Sequence, residues 1–414
     1  MPDRCAALIV GAGPAGLAAA LQLKRQGVSD VVVVDREDEA GGVPRLCGHT
    51  GFGIRDLHRV YTGPGYARHY RQQAEAAGVD VRTSTTVTGW SGSTTVTVTS
   101  PKGLGEIQAQ AVLLATGCYE RPRAGRLVHG RRPHGVFTTG SLQRFVYEHG
   151  EAVGRRAVIA GAETVSLSTL LTLGHAHCAG VALVTEYPSH QIPFLYLPVK
   201  WAITDLRGVS VIARSRVQRI LGERRVEAVE LTHVETGETQ ALACDTVIFT
   251  GSWMPESDLA RLARVALDGA TRAPQADAAL RTAVPGVFAA GNLLRGALGA
   301  DLVALEGRAA GRQIATYLLD GKWPTSRLAL QAGRQVAWVS PNAVSSPCAA
   351  PPLGAFLFQA SAFARQVQAT ISQGDRVLHR QVFGRLVPNQ PARLSAGWVA
   401  QVDPAGPALR LDVG

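Results

Sequence analysis

The sequence predicts an α/β protein with two Rossmann-like dinucleotide-binding domains, the first discontinuous, followed by a small β-rich C-terminal domain. Three observations carry this. A glycine turn, Gly11-Ala-Gly-Pro-Ala-Gly16, stands between an apolar run and a helix. A degenerate echo of that turn follows the apolar run Ala157–Ala160. Beyond about Thr325 the helical texture gives way to alternating polar and apolar positions.

The bulk numbers agree. A chain of 414 residues holds two or three domains at roughly 150 residues each, and its apolar content excludes a disordered composition. The net charge is +10, yet only Lys24, Lys102, Lys200 and Lys322 are lysines. The arginines are scattered apart from Arg121–Arg132, so an anionic cofactor or substrate suits the charge better than a nucleic acid. Six cysteines (5, 47, 118, 178, 244 and 348) stand far apart with no CxxC. That argues against a disulfide framework, a metal site or a four-cysteine iron–sulfur cluster, and suits a reducing cytoplasm. The uncharged stretch Cys5–Leu23 imitates a signal or membrane segment, but Gly11, Gly13, Pro14 and Gly16 break it.

In chain order, Ala6–Val10, a helix closed by Gly27 and the all-apolar Val31–Asp35 form a βαβ element. Residues 80–99 alternate as antiparallel strands do, and Ala111–Ala115 returns as a buried strand. A second cycle runs through Ala157–Ala160, a helix near 163–173 and Gly180–Thr185. Strand-like stretches at 209–212 and 226–232 and the strand Thr246–Thr250 follow. Gly286–Ala290 then leads into Gly291-Asn292 and a helix over about 301–319. The expected domains are 1–125 with 253–325, then 150–252, then 326–414. Pro341, Pro347, Pro351 and Pro352 mark a linker into the last of these.

In the first turn, Gly11 allows the tight bend, Gly13 lets the backbone approach a pyrophosphate, and Gly16 lets helix and strand pack closely. The pyrophosphate is expected at the positive end of the helix. Asp35, 24 residues after Gly11, is placed to accept from a ribose hydroxyl. Ala15, Arg36, Gly42 and Val87 complete the expected contacts in this region. The turn alone does not choose between two dinucleotides.

Two further segments do. Ala115-Thr116-Gly117 follows a buried strand, and Gly286-Val-Phe-Ala-Ala-Gly291-Asn292 opens the late helix. With these motifs in order, residues 5–320 resemble the two-dinucleotide-domain flavoproteins that include the pyridine nucleotide–disulfide reductases. The resemblance implies FAD, with Thr116-Gly117 crossing near it and residue 292 on its ribityl chain. It also implies a following helix aimed at the isoalloxazine. Asn292 stands where that family usually has Asp.

The second unit should carry a nicotinamide nucleotide, yet its turn reads Gly161-Ala-Glu163-Thr-Val-Ser166. Glu163 puts a carboxylate where a pyrophosphate must approach. One like-charge contact at about 4 Å costs on the order of 4 kcal/mol at an effective dielectric of 20, roughly a thousandfold in affinity. The cysteine pair of the disulfide reductases is missing too. Gly42–Gly53, with Tyr61-Thr-Gly-Pro-Gly-Tyr-Ala67, resembles a narrower branch: flavoprotein subunits of opine oxidase, cyanide-forming glycine dehydrogenase and hydroxyproline dehydrogenase. That implies oxidation of a C–N bond and a non-nicotinamide acceptor. Many members carry a cysteine-rich C-terminal cluster module; here only Cys348 lies beyond residue 325.

For chemistry the candidates are few. His49 sits in the glycine-rich loop after the ribose-binding strand, and imidazole is a side chain suited to accepting a proton from substrate. Cys47 offers a thiol beside the flavin loop, His190 follows the second βαβ element, and Arg45 could clamp a substrate carboxylate. The leading expectation is hydride transfer from a small amine, amino acid or hydroxy compound to FAD and on to a non-nicotinamide acceptor. An NAD(P)H-dependent flavin reductase and a non-catalytic FAD-binding component of a larger complex are the alternatives. A partner subunit or a homo-oligomer is compatible with each.

Overall fold

A computed structural model describes residues 3–205, 208–346 and 348–414. Val31–Val34 is buried at every position, as a strand must be when helices cover both sheet faces. It pairs in parallel with Asp3–Val10 on one side and Asp80–Arg82 on the other. Asp3–Val10 pairs in parallel with the long strand Gly103–Leu114. The far edge of that long strand is shared. Its first half takes the antiparallel ribbon Thr86–Trp90/Thr95–Ser100, and its last residues take the late strand Val287–Ala289 in parallel. A segment from the last third of the chain therefore completes the first sheet.

The second unit repeats the scheme in five parallel strands. Their order is Val136–Thr138, Thr246–Phe249, Arg156–Ala160, Ala179–Val184 and Ser210–Ile212. A three-stranded antiparallel sheet, Ser215–Leu221, Ala228–His233 and Thr239–Ala243, is attached. The two chain crossings between the units, Cys118–Glu120 and Trp253–Pro255, pair with each other. Residues 326–414 form two further sheets of five and three strands around Phe356, Phe358 and Trp398. This β-rich body is held to the first unit by buried polar contacts. Arg327 donates to the carbonyls of Gln275, Arg281 and Thr282, and Asn342 Oδ1 accepts from Ala276 N at 2.8 Å.

Two expectations need correction. Residues 80–99 are not all antiparallel: Asp80–Arg82 joins the parallel sheet, because the helix Gly63–Ala76 forms a crossover ahead of it. In the sequence that helix shows only as a glycine-rich motif, although Thr62 caps it and a proline stands in its first turn. Pro341 does not sit in a linker either; it joins the strands Val336–Ser340 and Ala343–Ser346, and Pro347 lies outside the described residues. The strand Val136–Thr138 and helix Thr139–Tyr147 are further elements that the residue pattern does not reveal, although Thr138 and Ser141 form a capping box.

Within the first unit, the helix Pro14–Arg25 packs tightly against Ala300–Asp320. A Cβ at Gly307 would fall on the Ala15 carbonyl oxygen, and one at Gly311 would stand 2.7 Å from the Ala19 carbonyl oxygen. Both obstacles are backbone and cannot rotate away. We therefore expect Gly307→Ala to destabilise the protein by about 1–3 kcal/mol, the usual cost of overpacking. The check is the urea midpoint; an unchanged midpoint would show that the two helices are free to separate.

Candidate functional site

The first turn brings backbone, and almost no side chain, to one point. Gly11 has φ +111°, and a Cβ there would fall on the Ala115 carbonyl oxygen. A Cβ on Gly42 would stand 2.8 Å from Gly13 Cα, so two glycines face each other across the turn. A Cβ on Gly291 would stand 2.9 Å from Ala15 Cβ. Gly11, Gly13, Ala15, Gly16, Gly42, Ala115 and Gly291 thus come together from distant parts of the chain. The helix Pro14–Arg25 has no side-chain cap and no acid in its first turn. Its leading amides are left for an anion. These features fit a bound pyrophosphate.

Asp35 helps to shape this turn. Its Oδ2 accepts from Ala12 N at 2.6 Å and its Oδ1 from Glu37 N at 2.9 Å. An ionised carboxylate has further lone pairs, so a ribose hydroxyl can still bind it. Arg36 is largely exposed, 3.9 Å from Glu256, and Val87 is buried on the antiparallel ribbon. Thr116 Oγ1 donates to the Glu256 carbonyl at 2.8 Å, and Glu256 N donates to Gly117 O, which joins the two chain crossings. Gly291 N donates to Glu306 Oε2 at 2.8 Å; the same oxygen takes Arg295 Nη2 at 2.6 Å. Asn292 Oδ1 accepts from Leu298 N at 2.9 Å. Its amide –NH₂ is therefore the group available to a hydroxyl, so Asn292 would donate where an Asp would accept.

The second turn copies the backbone of the first. Gly11 N donates to Val34 O and Gly161 N to Val184 O, both at 2.8 Å. Gly41 N donates to Ala12 O and Gln191 N to Ala162 O, again both at 2.8 Å. The side chains break the copy: Thr185 stands for Asp35, Glu163 for Gly13 and Ser166 for Gly16. The Glu163 side chain folds back over the turn, where its Oε1 accepts from Thr250 Oγ1 and its Cδ lies 3.4 Å from the place of a Gly251 Cβ. Gln191 Nε2 donates to Thr185 Oγ1 at 3.1 Å. The Glu163 and Thr250 side chains thus lie close beside Gly161. Burial pushes the Glu163 carboxyl above the usual carboxylate range, and the Thr250 hydrogen bond only partly opposes it.

Two of the catalytic candidates, with Arg45 beside them, meet at the contact between the two α/β units. His49 Nδ1 lies 2.8 Å from Thr50 O, and its Nε2 lies 2.9 Å from Ser168 Oγ. A carbonyl can only accept, so Nδ1 carries a proton, and in the neutral ring Nε2 accepts from the Ser168 hydroxyl. Ser168 Oγ in turn accepts from Gln143 Nε2 at 3.0 Å. A substrate can reach His49 Nε2 directly only if the Ser168 hydroxyl turns away. Cys47 lies next to Gln143, and burial pushes its thiol up to about 12; a thiolate role loses support. Arg45 is engaged by Glu148 Oε1 at 2.7 Å and by the Glu39 carbonyl, so its guanidinium is an interdomain clasp and not a free clamp. His190 does not join this group. It lies near Lys200 and Arg385, and burial together with those cations pushes its pKa down.

Reading the sequence missed Glu120. It is buried, and its two carboxylate oxygens accept from Thr139 N at 3.0 Å and Gly140 N at 2.9 Å, at the start of the helix Thr139–Tyr147. Burial raises its pKa as well. Only the start of that helix, marked by its capping box, could have revealed it.

A carboxyl whose pKa is raised on folding contributes stability below the ordinary carboxyl value and loses it as pH rises through the folded value. Glu163→Gln keeps an acceptor for Thr250 and cannot ionise. The variant should match the wild type near pH 4 and exceed it progressively toward pH 8, by about 1.4 kcal/mol per unit of upward shift. Thermal midpoints measured across pH test this; parallel curves would place the ionised Glu163 in a compensated environment.

Comparison with known proteins places the chain in a family. The family model described as pyridine nucleotide–disulphide oxidoreductase matches residues 6–307. The ferredoxin–NADP reductase of Ignicoccus hospitalis is 25% identical, over 77% of this chain and 99% of its own. An opine oxidase subunit of Agrobacterium tumefaciens is 28% identical over 73% of this chain, and the match spans 64% of that relative. The crystal structure of T. acidophilum thioredoxin reductase superposes with a TM-score of 0.64 at 21% identity, over 77% of this chain and 99% of its own. Among the described residues, no helix is long and apolar enough to cross a membrane. With its glycine turn, the backbone copy of that turn in the second unit and this match over most of its length, the chain belongs to the pyridine nucleotide–disulphide oxidoreductase family and is an FAD-dependent oxidoreductase.

Proposed function

We propose that this protein oxidises a small amine, amino acid or hydroxy compound and passes the electrons to a non-nicotinamide acceptor. The observation that carries the proposal is Glu163, whose side chain lies against Thr250 and Gly251 where the second dinucleotide would need open backbone. The missing cysteine pair removes the usual destination of nicotinamide electrons in disulfide reductases. The relationship to the opine oxidase of Agrobacterium tumefaciens supports the C–N substrate class. It also supports a partner subunit or other external acceptor, and the six unpaired thiols suit a reducing compartment.

Bound FAD supplies the two-electron acceptor. In our reading the uncapped amides of the helix Pro14–Arg25 hold its pyrophosphate, Asp35 its ribose and Asn292 a ribityl hydroxyl. Arg36, Val87, Thr116 and Gly117 would line its remaining contacts. His49 is the candidate that receives the substrate proton, at Nε2, once the Ser168 hydroxyl is displaced; Gln143 holds Ser168 in the meantime.

Anaerobic mixing separates the readings. Proline-like amino acids and opines are expected to bleach the flavin within a single turnover, while NADH and NADPH leave it oxidised. Rapid stoichiometric bleaching by either nicotinamide would favour the second reading, a flavin reductase that tolerates Glu163. His49→Ala should slow bleaching by the best substrate about a hundredfold with FAD content unaltered. An unchanged rate would leave His49 as an interdomain contact alone.

A further inference from the structure

The helix Ala300–Asp320 buries one side against Pro14–Arg25 and turns another toward the β-rich body. Leu302, Leu305, Arg308 and Arg312 recur every three or four residues on that second side. Opposite them stand Pro352, Leu353 and Arg393. Between the walls is a groove of about 370 Å³, within the range of small-molecule sites.

Its lining contains three arginines and no acid. None of the three forms an ion pair among the described residues. Asp56, behind Arg308, does not line the groove: it is buried, and its Oδ2 accepts from the hydroxyls of Tyr66 and Tyr70, both at 2.7 Å, while its Oδ1 has no hydrogen-bond partner. Two of the guanidiniums are nevertheless fixed in place. Arg308 Nη2 donates to Asp56 O and meets Tyr70 Oη, each at 3.0 Å. Arg393 Nη2 donates to Leu353 O at 2.6 Å. Each anchor uses one nitrogen and leaves the other donors of a planar fork. Arg308 and Arg312 stand at i and i+4, a spacing at which like charges repel unless something lies between them.

We propose that this groove binds a small organic anion with one carboxylate or phosphate head and a short apolar body. The arginines would take the head in bidentate fashion, and Leu302, Leu305 and Pro352 the body. Such a ligand would bridge the flavin-domain helix and the C-terminal domain. The site is separate from the nucleotide turns and stands whether or not the proposed reaction is correct.

Calorimetric titration of the FAD-loaded protein tests it with three probes: octanoate, inorganic phosphate and 1-octanol. Octanoate should bind saturably at one site, phosphate more weakly and in competition with it, and octanol without saturation. Arg312 and Arg393 are exposed, so the double variant Arg312→Ala/Arg393→Ala should fold and retain its flavin while octanoate affinity falls at least tenfold. Leu305→Ala should weaken octanoate and leave phosphate unchanged. Wild-type octanoate affinity in the double variant, or octanol binding as tightly as octanoate, would overturn the proposal.

Discussion

Everything in this protein is arranged around a place where backbone must meet backbone without side chains between. Gly11 lies against Ala115, Gly13 against Gly42, and Gly291 against Ala15. The three contacts draw the first strand, the loop after Val34, the first crossing and the late segment to the uncapped start of one helix. An anion can approach those amides only because the approach is free of Cβ atoms. The chain leaves the first unit, builds the second and returns before the last of these contacts is made.

The second unit shows what happens when that constraint is released. Its backbone hydrogen bonds reproduce those of the first turn, since the βαβ scaffold depends on strand pairing and not on a ligand. Its side chains are free to change, and Glu163, Thr185 and Gln191 close over the turn. The unit then serves as a wall. Ser168 and Gln143 reach His49 and Cys47, and Arg144 and Glu148 hold Glu37 and Arg45.

A buried ion pair extends the arrangement to the third body. Glu306 holds the amide of Gly291 and pairs with Arg295, whose other nitrogen reaches Ser340 in the β-rich domain at 2.8 Å. Removing either charge would leave its partner buried and unpaired, which is strongly destabilising. The C-terminal domain is thereby coupled to the segment that carries Asn292. The arginine-lined groove lies along the same helix as Glu306.

Much of this was legible in the residues alone. The glycine spacing, the all-apolar Val31–Val34 and the acid at position 35 announce a nucleotide turn because local sterics and burial demand those residue types. Glu163, in place of the middle glycine, marks the second turn as different from the first. The roles of His49, Arg45 and Cys47 were not legible. Each depends on a partner far away in sequence (Ser168, Glu148 and Gln143), and no local pattern encodes such a pairing. His49 as a free base, Arg45 as a free clamp and Cys47 as a ready thiolate are properties of isolated residues. Packing of one unit against the other engaged the first two in hydrogen bonds and buried the third. The sequence by itself therefore determined where the two turns lie and how their residues differ; only the tertiary structure decided which partners engage the reactive groups beside them.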